Sequence, residues 1–425
     1  MPRPAGRRYR AAVLAALAGC LGIGLSATLA VTAAAGGPVP GSSARRGPAG
    51  TAPATVAQGP AGDAFYTPPT PLPAGAPGDP VRYRRQPATL FTLTANATAY
   101  LVMYRSTNAT GGAVAVTGTI FVPNRSAPAG RPVVALAPGT QGVGDPCAPS
   151  RRFLAGLEYD QLYVGELLKK NYAVAVTDYE GLGTPGDHTY IVGRSEGRAV
   201  LDSARAAARL PGTGVGPTGK VAVIGYSQGG GAAGWAAELQ PSYAPELNLV
   251  GVAAGGVPAD LTAVSSYLNG GVGMAFLLYS AIGLNAAYPE LDLPAYLNDR
   301  GRQALRTDAT SCVEGAPAVA FTRIGDYTTT DPLARPDWRA RAAENSLSAS
   351  TTRPSVPLFL YQGTIDEIIP YGQAAALRAR YCAQGVPVRW NTYVGEHLTT
   401  FALGETDALS WLAARLAGAS APTNC

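Results

Sequence analysis

Ser227, Asp366 and His397 have the residue types, in the right chain order, for transferring an acyl group to a serine hydroxyl. Ser227 lies in Gly225-Tyr226-Ser227-Gln228-Gly229, a match to Gly-x-Ser-x-Gly. In that motif a serine sits on a sharp strand-to-helix turn and points its hydroxyl outward. The flanking glycines keep side chains from colliding across the turn. The helix that follows offers free N–H groups, one of which faces a developing oxyanion. A base must then come from histidine, and the chain has only two. His397 follows a strand in Val394-Gly395-Glu396-His397. His188 precedes the serine, in Gly186-Asp187-His188-Thr189-Tyr190, and a lone histidine in such a loop reads as structural. Asp366 ends the turn Gly363-Thr364-Ile365-Asp366 just after a strand, where an orienting acid is needed. Glu367 and Asp326 are its rivals.

The elements that must hold these residues are visible as apolar runs. Val221–Ile224 is a buried-strand pattern, and the small residues Gly229–Gly234 let a helix start close to it. Thr89–Ser106 and Ala113–Val122 alternate as strands and suggest an antiparallel entry to a sheet. Pro132–Ala137 is a continuous apolar strand ending in Pro138-Gly139-Thr140-Gln141-Gly142. By position in this loop Thr140 is the second oxyanion donor, with Gln141 the runner-up. Glu158–Lys170 reads as a helix, with Leu157, Leu162, Val164, Leu167 and Leu168 on its apolar side. Tyr172–Thr177 is the next strand and runs into Asp178-Tyr179-Glu180-Gly181, where Asp178 and Tyr179 take a structural role. Ser195–Leu210 is a helix, and Leu249–Val257 a strand. Val356–Tyr361 and Val388–Tyr393 complete the sheet, with helices in 372–383 and 401–416.

Strand and helix alternate across the first half, which signals α/β packing with a mostly parallel central sheet. The rhythm breaks from Leu261 to Asn345. This block is strongly apolar between Val272 and Leu284 and reads as a helical cap (lid) inserted before the acid. The expected organisation is thus 1–35 targeting segment, 36–80 flexible leader, 81–260 first core part, 261–345 cap and 346–425 second core part. The order Ser227, Asp366, His397 is that of the α/β-hydrolase class.

Composition limits the alternatives. Of 425 residues only 14% are charged, and the formal net charge is +5. Arg3, Arg7, Arg8 and Arg10 precede the apolar run Ala11–Ala30, and Ala33-Ala34-Ala35 offers a cleavage site. Without that segment the balance falls to about +1, so the basic excess belongs to export and not to a nucleic-acid surface. A membrane anchor and lipidation at Cys20 compete with cleavage, so the expected location is secreted, with association with the cell envelope as the variant. Residues 36–80 are rich in Gly, Pro, Ala, Ser and Thr, although Phe65-Tyr66 is a candidate first contact with the body. Cys147, Cys312, Cys382 and Cys425 form an even set in an exported chain and suggest two disulfides, with three pairings open. Cys382 with Cys425 would close a local loop, and Cys147 with Cys312 would then tie the early core to the inserted block. Their spacing resembles no metal site.

The chain resembles the secretory lipases, the fungal lipase A type and its actinobacterial relatives. The matching pieces are Phe65-Tyr66, Asp178-Tyr179-Glu180-Gly181-Leu182-Gly183, Gly225-Tyr226-Ser227-Gln228-Gly229-Gly230, the Gly363–Asp366 turn and Glu396-His397. The resemblance implies an α/β-hydrolase fold and hydrolysis of acylglycerols and simpler esters without a cofactor. It makes Ser227 the nucleophile, Asp366 the acid, His397 the base and Gln228 one oxyanion donor beside Thr140. The expected partners are an acylglycerol or other ester substrate and a lipid interface met through the cap, with no nucleic acid, and the expected state is a monomer. The rival readings are a short-chain, aromatic or polyester carboxylesterase and a serine peptidase on the same fold. A peptidase would need acidic residues on the cap to hold a peptide N-terminus, and none is evident.

Overall fold

The computed structural model describes residues 56–425 apart from Thr92, Pro128, Ala129 and Ala309. The expected targeting segment, with Cys20, lies outside the described residues. Among the described residues ten strands form one sheet: β1 (Ala57–Gln58), β2 (Pro80–Leu90), β3 (Leu93–Thr107), β4 (Ala113–Pro123), β5 (Val133–Ala137), β6 (Ala173–Thr177), β7 (Lys220–Tyr226), β8 (Asn248–Gly255), β9 (Leu358–Gly363) and β10 (Val388–Tyr393). Their spatial order is β1-β2-β3-β4-β6-β5-β7-β8-β9-β10. Pairing is antiparallel from β2 through β4 to β6 and parallel from β6 to β10. This is the mostly parallel, helix-flanked sheet expected from the alternation of elements.

β5 shows why a continuous apolar run becomes a central strand. Val133, Ala135 and Ala137 enter the core on one face, and Val134 and Leu136 enter the core on the other. Both faces are therefore covered, which parallel sheets require. The helices Gly193–Arg209 and Gln228–Tyr243 serve the first face, and the helices Gln161–Lys169 and His397–Leu416 the second. Small residues in Gln228–Tyr243, including Ala232, Ala233 and Ala236, let that helix lie close on the sheet.

Between β8 and β9 the chain leaves the sheet for a run of helices: Leu261–Leu268, Met274–Ala287, Leu293–Tyr296, Asp299–Asp308 and Pro336–Glu344. Val264, Leu268, Met274 and Leu277 of this block pack with Ile368 and Ile369, beside Asp366. Burying a side chain such as Ile369 contributes about 1.5–3 kcal/mol, so these contacts also stiffen the acid's turn. Among the described residues, no helix is long and apolar enough to cross a membrane.

Several local expectations need correction. Thr89–Ser106 is not one strand. The chain reverses at Phe91 (φ 48°), and the Arg-rich β2 pairs back onto β3. No Gly, Pro or Asn marks that turn. Residues 56–80, assigned to the flexible leader, lie on the body: β1 pairs with β2, and Phe65 and Tyr66 are buried with Leu101 and Met103. The helix expected from Glu158 begins at Gln161, because Glu158 and Asp160 turn inward. Leu157 and Leu162, expected on its apolar side, are exposed. The last helix begins at His397 itself, four residues before Phe401.

Candidate active site

β7 delivers Ser227 at the C-terminal edge of the parallel sheet, with φ 60° and ψ −122°. A non-glycine residue held there is strained and needs its surroundings to fix it. Ser227 N donates to Gly255 O at 3.0 Å, and Gly231 N donates to Ser227 O at 3.0 Å. The two motif glycines are required by contact. A Cβ on Gly225 would lie 2.1 Å from Gly229 O, and one on Gly229 would lie 2.0 Å from Ala137 O. The second contact seats the start of the helix against the end of β5, beside the loop 138–142.

His397 Nε2 lies 2.9 Å from Ser227 Oγ, and its Nδ1 lies 2.8 Å from Asp366 Oδ2. Asp366 also accepts from Ile368 N (2.9 Å), Ile369 N (2.8 Å) and Gln362 Nε2 (2.9 Å). An ionised carboxylate accepts at every lone pair, so the network assigns the proton to Nδ1 and leaves Nε2 to accept from the serine. The ring is held from behind by Tyr226, whose ring lies 4.9 Å away and whose hydroxyl donates to His397 O at 2.7 Å. Sequence reasoning missed that brace, although Tyr226 occupies the variable position of the motif. Glu367, a rival acid, accepts from His397 N at 2.9 Å and caps the helix instead of meeting the imidazole. Asp326 accepts from Arg323 N in the inserted block. Asp178 is structural as expected, accepting from Thr117 Oγ1 and from Ser150 N, both at 2.7 Å.

The loop 138–142 is gripped by three consecutive residues that the helix reading had misplaced. Asp160 Oδ2 accepts from Gly139 N at 3.0 Å. Tyr159 OH donates to Thr140 O at 3.2 Å, and Gln141 Nε2 donates to Glu158 Oε1 at 2.8 Å. The far end is tied as well: Val313 N donates to Gln141 O at 2.8 Å, and Cys147 is bonded to Cys312. Thr140 N makes no hydrogen bond among the described residues. Gln228 N opens a helix and has no carbonyl behind it to accept from it. Neither N–H is therefore taken by a hydrogen bond among the described residues, and Gln228 lines the cleft at Ser227. Two acids flanking a tyrosine at a helix entrance were the available signal for this grip.

Glu158 and Asp160 are both buried, at 0% and 1% exposed, where burial disfavours an ionised carboxylate. Burial pushes Asp160 up to about 7 and raises Glu158 as well. Acids raised in the folded state favour folding fully below their ordinary range and cost stability as pH climbs through the folded values. Asp160→Asn keeps an acceptor for Gly139 N, so it is expected to flatten the fall in melting temperature from about pH 4 to about pH 7. Calorimetric scans across that range check this, and an unchanged slope would contradict the raised Asp160 carboxyl.

A narrow cleft of about 20 Å³ opens on Ser227 and Gln228, walled by Leu261, Val264, Phe276, Ile368 and Ile369. That is room for one or two waters. A larger cavity of about 260 Å³, lined by Arg85, Arg125, Arg131 and Gly212, contains none of the three chemical residues. Among the described residues no cluster of three or more His, Cys, Asp or Glu could hold a metal ion. The pairs Cys147–Cys312 and Cys382–Cys425 are both disulfides, which resolves the three open pairings.

Residues 153–424 match the family model described as secretory lipase. Lipase A of Moesziomyces aphidis is 30% identical, over 85% of this chain and 81% of that protein. A secreted triacylglycerol lipase of Malassezia globosa is 31% identical, over 78% of this chain and 74% of that one. The crystal structure of Candida antarctica lipase A in its closed state is similar with a TM-score of 0.78 and 29% identity, over 85% of this chain and 87% of that one. With the family model spanning well over half of its length, the chain belongs to the secretory lipase family and is a carboxylic ester hydrolase.

Proposed function

We propose that the chain is an exported serine hydrolase acting on triacylglycerols through an acyl-enzyme on Ser227. Ser227 Oγ attacks the ester carbonyl while His397 Nε2 removes its proton. Asp366 holds the Nδ1 proton and stabilises the imidazolium. The N–H groups of Gln228 and Thr140 bind the oxyanion, each contributing about 3 kcal/mol to the transition state. His397 then protonates the leaving alcohol, and a water activated by the same ring releases the fatty acid. The observation that carries this reading is the unbroken hydrogen-bonded chain from Ser227 Oγ through the imidazole to the buried Asp366.

Triacylglycerol as substrate is supported by the family and by the relative named as a secreted triacylglycerol lipase. The apolar walls of the cleft suit an acyl chain better than a peptide. Contact with a lipid interface runs through the inserted block, where Tyr267, Val272 and Phe321 are exposed. Tyr267 OH also donates to Asp366 O at 3.1 Å, so this apolar surface adjoins the site. A cleft of about 20 Å³ favours a second reading, an esterase for short acyl groups. p-Nitrophenyl esters from acetate to palmitate separate the two. Rates that rise with chain length and vanish in Ser227→Ala support the lipase. Rates confined to acetate and butyrate support the esterase, and equal activity of wild type and mutant would overturn both.

A further inference from the structure

Behind the proposed oxyanion site lies a buried polar array that the mechanism above does not use. Gln228 Nε2 donates to Glu196 Oε1 at 2.6 Å and lies 2.9 Å from His188 Nε2. His188 Nδ1 lies 2.9 Å from Glu180 O, which can only accept. The proton therefore sits on Nδ1, and Nε2 takes the second amide hydrogen of Gln228. Glu196 Oε1 also accepts from Ile191 N at 2.9 Å, which ties the array to the first turn of the helix Gly193–Arg209. His188 is stacked 5.9 Å from Tyr179 and meets Tyr190 edge-on at 5.9 Å. Tyr190 OH in turn lies 2.7 Å from Thr140 Oγ1. His188, Glu196 and Gln228 are each at most 2% exposed. One short segment, residues 188–190, thus touches the side chains of both residues proposed to supply oxyanion N–H groups.

We propose that His188, Glu196 and Tyr190 are positioning residues that set the spacing of the Gln228 and Thr140 N–H groups around the oxyanion. The proposal rests on the acyl-enzyme reading above. Its physical reason is that a backbone donor works only if its peptide plane is fixed before charge develops. Gln228 follows a strained residue, and the Ser227–Gln228 peptide would otherwise relax by rotation. Anchoring the far end of the Gln228 side chain at two points prevents that. The array is also electrically quiet at neutral pH. Burial holds His188 down to about 4 and Glu196 up to about 8, so neither places a full charge behind the oxyanion.

The test compares His188→Phe, which keeps the ring stack and removes the Nε2 acceptor, with Glu196→Gln, which keeps an acceptor oxygen. Each is assayed on a p-nitrophenyl ester and on the thionoester in which sulfur replaces the carbonyl oxygen. Sulfur accepts hydrogen bonds weakly, so wild type should strongly prefer the oxygen ester. His188→Phe is expected to lower kcat about tenfold to a hundredfold with KM little changed, and to compress the oxygen-to-sulfur preference by a similar factor. Glu196→Gln should stay within about threefold of wild type in both readings. Gln228→Met, which keeps volume and loses both amide hydrogens, should reproduce the compression if His188→Phe does not fold. Unchanged kcat and an unchanged oxygen-to-sulfur preference in folded His188→Phe or Gln228→Met would overturn the proposal. Should Ser227→Ala itself retain activity, the underlying acyl-enzyme reading fails instead.

Discussion

Ser227→Ala is expected to lower kcat for ester hydrolysis about a millionfold, and His397→Ala by a similar factor. The two changes together should cost scarcely more than either alone. In the proposed mechanism the residues act as one unit, with the 2.9 Å contact between Oγ and Nε2 as the path for the proton. Removing either end leaves only the oxyanion donors and substrate binding. Asp366→Asn should cost about ten-thousandfold. The asparagine amide would present hydrogens to Nδ1 across the present 2.8 Å contact, so the imidazole would carry its proton on Nε2 and could no longer accept from serine. Asp366 also receives Ile368 N and Ile369 N, and an asparagine oxygen can keep both bonds. The new amide would also face Gln362 Nε2, which now donates to Oδ2 at 2.9 Å, so the loss in kcat should come with a modest fall in melting temperature. Steady-state kinetics of the three single variants and the Ser227→Ala/His397→Ala double variant check this.

Removing the Cys147–Cys312 disulfide is the second large effect. The bond closes a segment with a sequence separation of 165 residues, and loss of such a cross-link costs about 2–5 kcal/mol. Its place makes the effect larger than stability alone. Gly142 approaches so closely that a Cβ there would lie 2.8 Å from Cys147 Sγ, and Gly142 bridges to Cys312 in a short antiparallel pairing. The distal end of the loop bearing Thr140 is therefore anchored through the inserted block. Cys147→Ser/Cys312→Ser should lower both the melting temperature and kcat, the latter about tenfold or more as Thr140 N loses its position. The Cys382–Cys425 bond spans 43 residues and holds a tail in which Asn424 N donates to Val388 O and Asn424 Nδ2 donates to Trp390 O. Its removal should destabilise the fold and leave kcat near wild type. Calorimetry and kinetics on the two double variants distinguish these outcomes.

How much of this was legible before the structure depended on whether a residue's role is local. Ser227 was readable because an elbow demands small residues at fixed offsets, and Gly225 and Gly229 carry that demand in the sequence itself. His397 was readable because two histidines leave little choice. Asp366 needed a strand end and a turn, both marked by Gly363. The parallel sheet was readable because strands such as β5 bury both faces and so lose any alternation. By contrast, Glu158 and Asp160 act through contacts to Gly139 and Gln141, about twenty residues earlier in the chain, and a charged pair before an apolar run looks like an ordinary helix start. His188 was correctly placed in a loop, yet its link to Gln228 crosses 40 residues and follows only from the packing of the two helices that carry Glu196 and Gln228. Residues 56–80 have a linker's composition. They are held by two aromatic side chains and one strand pairing, a small signal within a Pro- and Gly-rich stretch.

The most direct test of the proposed mechanism is covalent labelling with a p-nitrophenyl alkylphosphonate, a mimic of the tetrahedral intermediate. Intact mass and peptide mapping should find one adduct per chain, on the peptide bearing Ser227, with ester hydrolysis lost in proportion to labelling and no adduct on Ser227→Ala. Hydrolysis that persists after stoichiometric labelling of Ser227, or inactivation accompanied by an adduct elsewhere, would contradict the assignment of Ser227 as the nucleophile.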